Sequence, residues 1–467
     1  VTAADAGAYR VIVSNAGGTV TSGEATLTLG TPPANDHFAQ APLLTGGFAA
    51  GTSNTAGATR EAGEPWHAGN GSGTSVWWTW TAPASGTVIV DTSGSMGQAN
   101  MNAAKQAAMA ALDHILDGTY FAVVAGNHKA YLAYPMVQAG AGMVRMDSRT
   151  RAEARRAISF FRADGGTAMG TWLTLAKALF ASVGTLANKH VILLTDGENH
   201  NETQSQLDHA IAGAVGQFQV DARGVGIDWK VAEIRKISQA LLGTVDIIPN
   251  PHQLGPAFAE LMRTAMARGV ASADLRVWIP QGAQLQFVRQ VSPTVEDLTH
   301  RGTPVNQLTM SYPTGSWGDE ERDYHISIRL AAKSIGQEQL AARVQLAIGN
   351  EVLTQGLVKA KWSADTNLTA QINPEVAHYT GQTELAQVIQ EGLAAKDAGD
   401  EATATTKLGR AVQLATETGN VEATSKLRKV LDIADARTGT VRLKKTVDKA
   451  DVMALDTAST KTTRVRG

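Results

Sequence analysis

The sequence predicts a multidomain chain: a doubly wound, Rossmann-like α/β core with flanking all-β sandwich segments and a C-terminal α-helical hairpin region. Three observations carry this. The chain has 467 residues, and at roughly 100 to 200 residues per domain that means two to four domains. Residues 1 to 90 hold only seven charged side chains (Asp5, Arg10, Glu24, Asp36, Arg60, Glu61 and Glu64) and are crowded with Gly, Thr and Ser in alternating runs. From residue 87 strands and helices alternate, the pattern of a mostly parallel sheet covered on both faces.

Composition excludes several chemistries. Hydrophobic residues make up 43% and charged residues 18%, ordinary globular values that argue against a disordered, collagenous or coiled-coil chain. With 41 Lys+Arg against 43 Asp+Glu the net charge is −2, so no global field draws the protein to nucleic acid or anionic lipid. The absence of cysteine removes disulfides, thiol nucleophiles, iron–sulfur clusters and Cys-based zinc sites together. No run approaches the roughly 18 apolar residues of a membrane helix.

Along the chain, Tyr9-Arg10-Val11-Ile12-Val13 and Ala25-Thr26-Leu27-Thr28-Leu29 alternate as half-buried strands do. Asp5-Ala6-Gly7-Ala8-Tyr9 with Val13-Ser14-Asn15 and Gly17-Gly18 resembles the tyrosine corner and last hairpin of an immunoglobulin-like domain. Residues 1–30 are therefore expected to be its C-terminal remnant, with the rest upstream of Val1. Thr31-Pro32-Pro33 reads as a linker. Residues 35–86, through Asn35-Asp36-His37-Phe38 and Ser75-Val76-Trp77-Trp78-Thr79-Trp80, resemble the front half of a β-sandwich module of secreted bacterial proteins. His37 and His67, with Glu61 or Glu64, have the residue types of metal ligands, but their spacing suits polar loop residues better.

Over 87–268 the expected strands are Thr87–Val90, 120–125, 191–195, 220–226 and 245–248, with helices near 98–116, 149–161, 170–182, 203–214, 230–241 and 253–267. Residues 269–365 return to strands and predict a second sandwich. Residues 374–436 show helical spacing through Leu385, Val388, Ile389 and Leu393, then Leu408 and Val412, then Leu427 and Val430, broken at Gly399-Asp400 and Gly419-Asn420. The echo of Glu401-Ala402-Thr403 in Glu422-Ala423-Thr424 gives this region a tetratricopeptide-like look. Residues 437–467 carry net positive charge spread out without aromatics, the pattern of a solvated basic tail rather than a nucleic-acid arm.

The chemistry gathers at the sheet. Asp91-Thr92-Ser93-Gly94-Ser95 closes the first strand and leads into a helix, at the edge where open α/β sheets bind ligands. Asp91, Ser93 and Ser95 alternate along the turn, so their oxygens can converge. Alone, such a word also suits helix capping. Gly165-Gly166-Thr167 before the next inner helix and Leu193-Leu194-Thr195-Asp196-Gly197 at a later strand end fall on the same edge. On the Asp91–Ser95 turn, two hydroxyls and few carboxylates make a hard, oxygen-only site suited to a small divalent cation that keeps several waters: Mg²⁺ first, with Mn²⁺ or Ca²⁺ as alternatives.

Together these three motifs resemble the von Willebrand factor A domain and its metal-ion-dependent adhesion site. The resemblance implies that Ser93, Ser95 and Thr167 supply hydroxyl ligands and that Asp91 and Asp196 act directly or through water. It implies an open coordination position filled by a Glu or Asp carboxylate of a partner protein. Further words, Tyr312-Pro313-Thr314-Gly315-Ser316-Trp317-Gly318 and Asn373-Pro374-Glu375-Val376-Ala377-His378-Tyr379 among them, resemble a bacterial, actinobacterial-type family in which the A domain precedes a β-sandwich and a helical tail.

No Gly-x-Ser-x-Gly elbow, His-Glu-x-x-His helix or phosphate-binding Gly-x4-Gly-Lys-Ser/Thr loop occurs, so no enzyme is expected. His200 and His209 are read as surface histidines, and Trp172 and Trp229 as core or rim residues. The expected function is metal-dependent protein binding, as an adhesion or scaffold module. The alternative is an accessory subunit of a cytosolic ATPase or chelatase-like assembly. The front modules point to an extracellular or cell-surface location, with the cytoplasm as the alternative. No nucleic acid or membrane span is expected.

Overall fold

The computed structural model describes residues 5–464 except 16, 29, 45–51, 63, 65–73, 81–83, 137–141, 184–187, 228, 249, 251–252 and 271. His67 lies outside the described residues. The chain forms two compact units, Val1–Ala82 and Pro83–Gly467.

In the first unit Gly7–Tyr9 pairs antiparallel with Ala25–Leu27, and Ile12–Asn15 with Gly18–Thr21. The Tyr9 hydroxyl donates to the Asp5 carbonyl at 2.5 Å. Val11, Ile12, Val13 and Val20 nonetheless stand exposed, because among the described residues of this unit no second sheet lies over these ribbons. The strands expected over 35–86 reduce, among the described residues, to one short parallel pairing of Leu43–Leu44 with Thr79–Trp80. Polar contacts organise the rest. Asp36 accepts from the Thr59 amide and hydroxyl at 2.6 and 2.8 Å, and Phe38 meets Trp77 edge-on at 5.4 Å.

The second unit opens with a seven-stranded sheet. Its elements are β1 (Ala84–Asp91), α1 (Gly97–His114), β2 (Tyr120–Gly126), β3 (Ala130–Tyr134), β4 (Val144–Arg145), α2 (Ser148–Ser159), α3 (Met169–Ser182), β5 (Asn188–Thr195), α4 (Gln204–Ala214), β6 (Gln219–Val225), α5 (Val231–Ala240), β7 (Val245–Ile248) and α6 (Leu254–Met266). Strands β2, β1, β5, β6 and β7 run parallel in that spatial order. Strands β3 and β4 close the β2 edge antiparallel.

Alternation builds both faces. Val88, Val90, Phe121, Val123, Ile192 and Leu194 pack under α1, α2 and α6. Ile89, Ala122, Val124, Val191 and Leu193 pack under α3, α4 and α5. A strand apolar on both faces is buried on both, as a doubly wound sheet requires. Trp172 is fully buried here, and a Cβ at Gly126 would lie 2.5 Å from its ring. Glycine at that strand end therefore lets the indole lie flat on the sheet.

A sandwich follows, made of β8 (Asp274–Trp278), β9 (Gln284–Ser292), β10 (Glu296–Asp297), β11 (Thr303–Asn306), β12 (Thr309–Pro313), β13 (Asp323–Arg329), β14 (Glu338–Ile348) and β15 (Glu351–Lys361). The order is β11-β12-β8-β14-β15 in one sheet and β10-β9-β13 in the other, around Leu275, Val277, Val288, Leu298 and Tyr312.

After a short α7 (Thr366–Ala370), α8 (Pro374–Asp397), α9 (Glu401–Glu417) and α10 (Val421–Val430) pack through Leu385, Ile389, Leu408, Val412 and Leu427. The breaks fall where sequence places them. Asp400 caps α9 through the Thr403 amide, and Asn420 caps α10 through the Ala423 amide, satisfying donors that a helix start leaves free.

Residues 437–467, expected to be a solvated tail, instead fold among the described residues. Strand β16 (Leu431–Asp435) pairs with β17 (Thr440–Leu443), and α11 (Lys449–Ala458) follows. Met453 joins the α/β core and Leu455 the helical core. The charges are spread out because they sit on the outward faces of packed elements.

Candidate metal centre

The strand order reverses between β1 and β5, and the carboxyl ends of these two strands meet at that switch point. Asp91 ends β1 and Asp196 follows β5. Asp91 is fully buried. One of its oxygens accepts from the Ser93 amide at 2.7 Å and the other from the Thr195 hydroxyl at 2.6 Å. Burial pushes its carboxyl up to about 6, against hydrogen bonds from Ser93 and Thr195 and with a small contribution from Asp196. An ionised Asp91 thus lacks a compensating positive charge, and a nearby cation would supply it.

Ser93 and Ser95 Oγ lie 2.9 Å apart, and Ser95 donates to Asp196 Oδ1 at 2.8 Å. Asn100 Nδ2 holds the other Asp196 oxygen at 3.1 Å. Thr167 arrives on a third loop, stitched to the first by the Gly94 amide on the Gly165 carbonyl and the Asp164 amide on the Thr92 carbonyl, both at 2.8 Å. A Cβ placed on Gly197 would meet Thr167 Oγ1 at 2.9 Å, Ser95 Oγ at 3.1 Å and Ser93 Oγ at 3.6 Å. Three hydroxyls therefore converge beside a residue with no side chain, and two carboxylates stand behind them. Ser93, Thr167 and Asp196 are buried while Ser95 is exposed, so the cluster opens to solvent on one side.

All five residues singled out from sequence come together here. Among the described residues no group of three or more His, Asp or Glu side chains could hold a metal. The donors in this cluster are mostly hydroxyls, which fit a hard cation that keeps part of its water shell. His200 and His209 are exposed, and His37 lies 3.4 Å from Glu61 in the other unit. Trp172 and Trp229 are buried in the core.

The loop after β5 does more than sequence revealed. Helix α3 has no capping side chain of its own. Asn199 Oδ1 accepts from the Met169 amide at 3.1 Å, and Glu202 Oε1 from the Gly170 amide at 2.7 Å. Asn201 Oδ1 accepts from the Thr167 amide at 3.1 Å, and Glu233 Oε2 from the Asn199 amide. Burial raises the Glu202 carboxyl. The polar density of Asp196-Gly197-Glu198-Asn199-His200-Asn201-Glu202 was the available signal, but its partners lie some thirty residues away.

A Rossmann-like sheet carrying a hydroxyl-rich cluster at its carboxyl edge defines an α/β domain of the A-domain type. Residues 87–242 match the von Willebrand factor type A domain, and residues 413–459 match the von Willebrand factor type A C-terminal domain. A von Willebrand factor type A protein from Catenulispora acidiphila is 46% identical in sequence, with a TM-score of 0.78 over 82% of this chain and 90% of that one. The chain belongs to this von Willebrand factor type A family. An uncharacterized protein of Synechocystis sp. is 28% identical over 216 residues, 45% of this chain. The match spans about half (49%) of that curated relative's length. A structure of proximal thread matrix protein 1 from the mussel byssus with zinc occupied MIDAS motif is 22% identical over 39% of this chain and 45% of that one, TM-score 0.33.

Proposed function

We propose that this protein is a metal-dependent protein-binding module. Asp91, Ser93, Ser95, Thr167 and Asp196 hold a divalent cation, Mg²⁺ by the hardness of the donors, and a Glu or Asp carboxylate of a partner completes its coordination. The observation that carries the reading is the convergence of Ser93, Ser95 and Thr167 hydroxyls around Gly197, with Asp196 hydrogen-bonded to Ser95. When bound, the cation supplies concentrated positive charge at a solvent-facing position.

The residues around it have separate duties. The Ser93 amide and Thr195 hydroxyl fix the Asp91 carboxylate, and Asn100 fixes Asp196. Few charged donors leave much of the cation's charge uncancelled, so an incoming carboxylate is attracted strongly. In this reading the carboxylates that accept from Ser95 and Thr195 position the cation's ligands, and the role of the site is binding. The front unit's resemblance to secreted modules supports an extracellular or cell-surface setting.

Ser93→Ala and Asp196→Ala, made separately, test this. Each variant keeps its far-ultraviolet dichroism, loses the magnesium-induced rise in Tm, and no longer retains an immobilised acidic peptide in magnesium buffer. Retention unchanged by both substitutions and by chelator would refute the proposal.

A further inference from the structure

A second site lies away from the sheet edge, where the α/β domain, the sandwich and the C-terminal segment meet. Residues Thr460–Thr463 run through this junction as a strap. The Val295 amide donates to the Thr460 carbonyl at 2.7 Å, and the Thr462 amide to the Pro293 carbonyl at 3.0 Å. Lys461 Nζ reaches Asp246 at 2.8 Å. Beneath the strap is a cavity of about 190 Å³ walled by α5, the Gly243–Asp246 turn and strand, Thr294–Glu296 and Thr457–Lys461. That volume holds several waters or one small polyatomic ion with water.

Its wall has unused donors. Ser238 is fully buried and Arg235 is 8% exposed, and Ser238 Oγ and Arg235 Nε have no hydrogen-bond partner. They sit three residues apart on α5, hence on one face of it. Arg223, Arg235 and Lys461 bring positive charge to the wall; Asp246 and Glu296 bring negative charge. Both carboxylates are ion-paired, Asp246 with Lys461 and Glu296 with Arg301 at 2.8 Å, although Glu296 Oε1 also has no hydrogen-bond partner. Two unmatched donors and three cationic side chains thus outweigh one unmatched acceptor and two carboxylates along this wall. Buried donors without acceptors are costly to leave unmatched, and a charged oxygen is the strongest acceptor for such donors.

We propose that this cavity binds a small oxyanion, a phosphate, sulfate or carboxylate group, held by Arg235, Ser238 and Lys461. Such a ligand fastens the C-terminal strap to the α/β domain and makes the stability of the whole unit depend on anion concentration. The proposal is independent of the metal centre.

The test uses metal-free full-length protein, so that no cation at Asp91 and Asp196 recruits the anion. Sodium phosphate, sodium sulfate and sodium acetate are titrated calorimetrically at constant ionic strength against chloride. The expected result is saturable one-to-one binding of at least one of them, with phosphate or sulfate tighter than acetate if a tetrahedral group fits and the reverse for a planar one. Ser238→Ala, which removes one buried hydroxyl without changing charge, weakens binding about tenfold, and Ser93→Ala leaves it unchanged. If none of the three anions saturates, the cavity holds only water and the proposal fails. It also fails if Ser238→Ala and Lys461→Met both bind as tightly as the parent protein.

Discussion

Single residues at the sheet edge were legible because the chemistry is local. Asp91, Ser93 and Ser95 are neighbours in sequence, and Thr167 and Asp196 each follow a short signature, Gly-Gly before one and a run of apolar strand residues before the other. What could not be read were groups whose role exists only across loops, such as Asn199 and Glu202 capping α3 and Asn100 on Asp196. Gly197 belongs to that second kind. Its backbone needs no unusual conformation, so alanine is accepted by the chain, but the added methyl enters the space the hydroxyls share. Gly197→Ala is therefore expected to fold with nearly unchanged Tm in chelator while its magnesium affinity falls about tenfold, equivalent to about 1.4 kcal/mol. Titration calorimetry with magnesium checks this, and undiminished affinity would show that the cation does not sit among the hydroxyls beside Gly197.

At the scale of elements, the buried parallel strands and amphipathic helices of the α/β core lie within a few residues of their expected bounds, because a two-residue or 3.6-residue apolar period is strong there. The sandwich was less legible: β9 and the short β10, β11 and β12 carry mixed polar and apolar residues. Polar pairing between elements was invisible. His190 on β5 meets Asp221 on β6 at 2.7 Å, and Arg268 beyond α6 reaches the same carboxylate at 3.1 Å. Burial alone would raise Asp221, yet Arg268 and His190 hold it well below the usual carboxylate range. Burial lowers His190 despite the hydrogen bond to Asp221. The native histidine thus takes up its proton at lower pH than the unfolded one, near 6.5. The stability it contributes is complete above about pH 6.5 and declines as pH falls below that value. Asp221, also depressed, gives up its contribution only in stronger acid. Urea midpoints measured between about pH 7.5 and 5.5 are expected to fall on acidification in the parent and to fall less in His190→Gln. Equal slopes would show that this histidine does not govern the acid limb.

On the scale of the whole second unit, the C-terminal segment is where sequence reading failed and structure is most informative. Two of its basic residues looked solvated because each is separated from its partner by long stretches of chain: Lys461 from Asp246, Arg464 from Asp323. A linear pattern contains no such pairing. Folded, the strap also takes the Gln382 amide of α8 on Thr463 Oγ1 at 2.8 Å and returns the Thr462 hydroxyl to the Val291 carbonyl of β9 at 2.7 Å. Just before it, Asp456 of α11 accepts Arg235 of α5 at 2.6 Å, where the guanidinium side chain is only 9% exposed. One short stretch therefore touches the α/β domain, the sandwich and the helices, beside direct contacts such as Arg301 on the Gln239 carbonyl and Tyr379 on Asp323, and their stabilities should be coupled in part through it. Removing the carboxylate leaves a largely buried guanidinium without its ionic partner, a loss of about 3 kcal/mol. Asp456→Ala is expected to lower the stability of the unit by that amount and to resolve its calorimetric unfolding into more than one transition, the sandwich and helices parting from the α/β domain. A single transition at an unchanged temperature would mean that the domains are held together elsewhere.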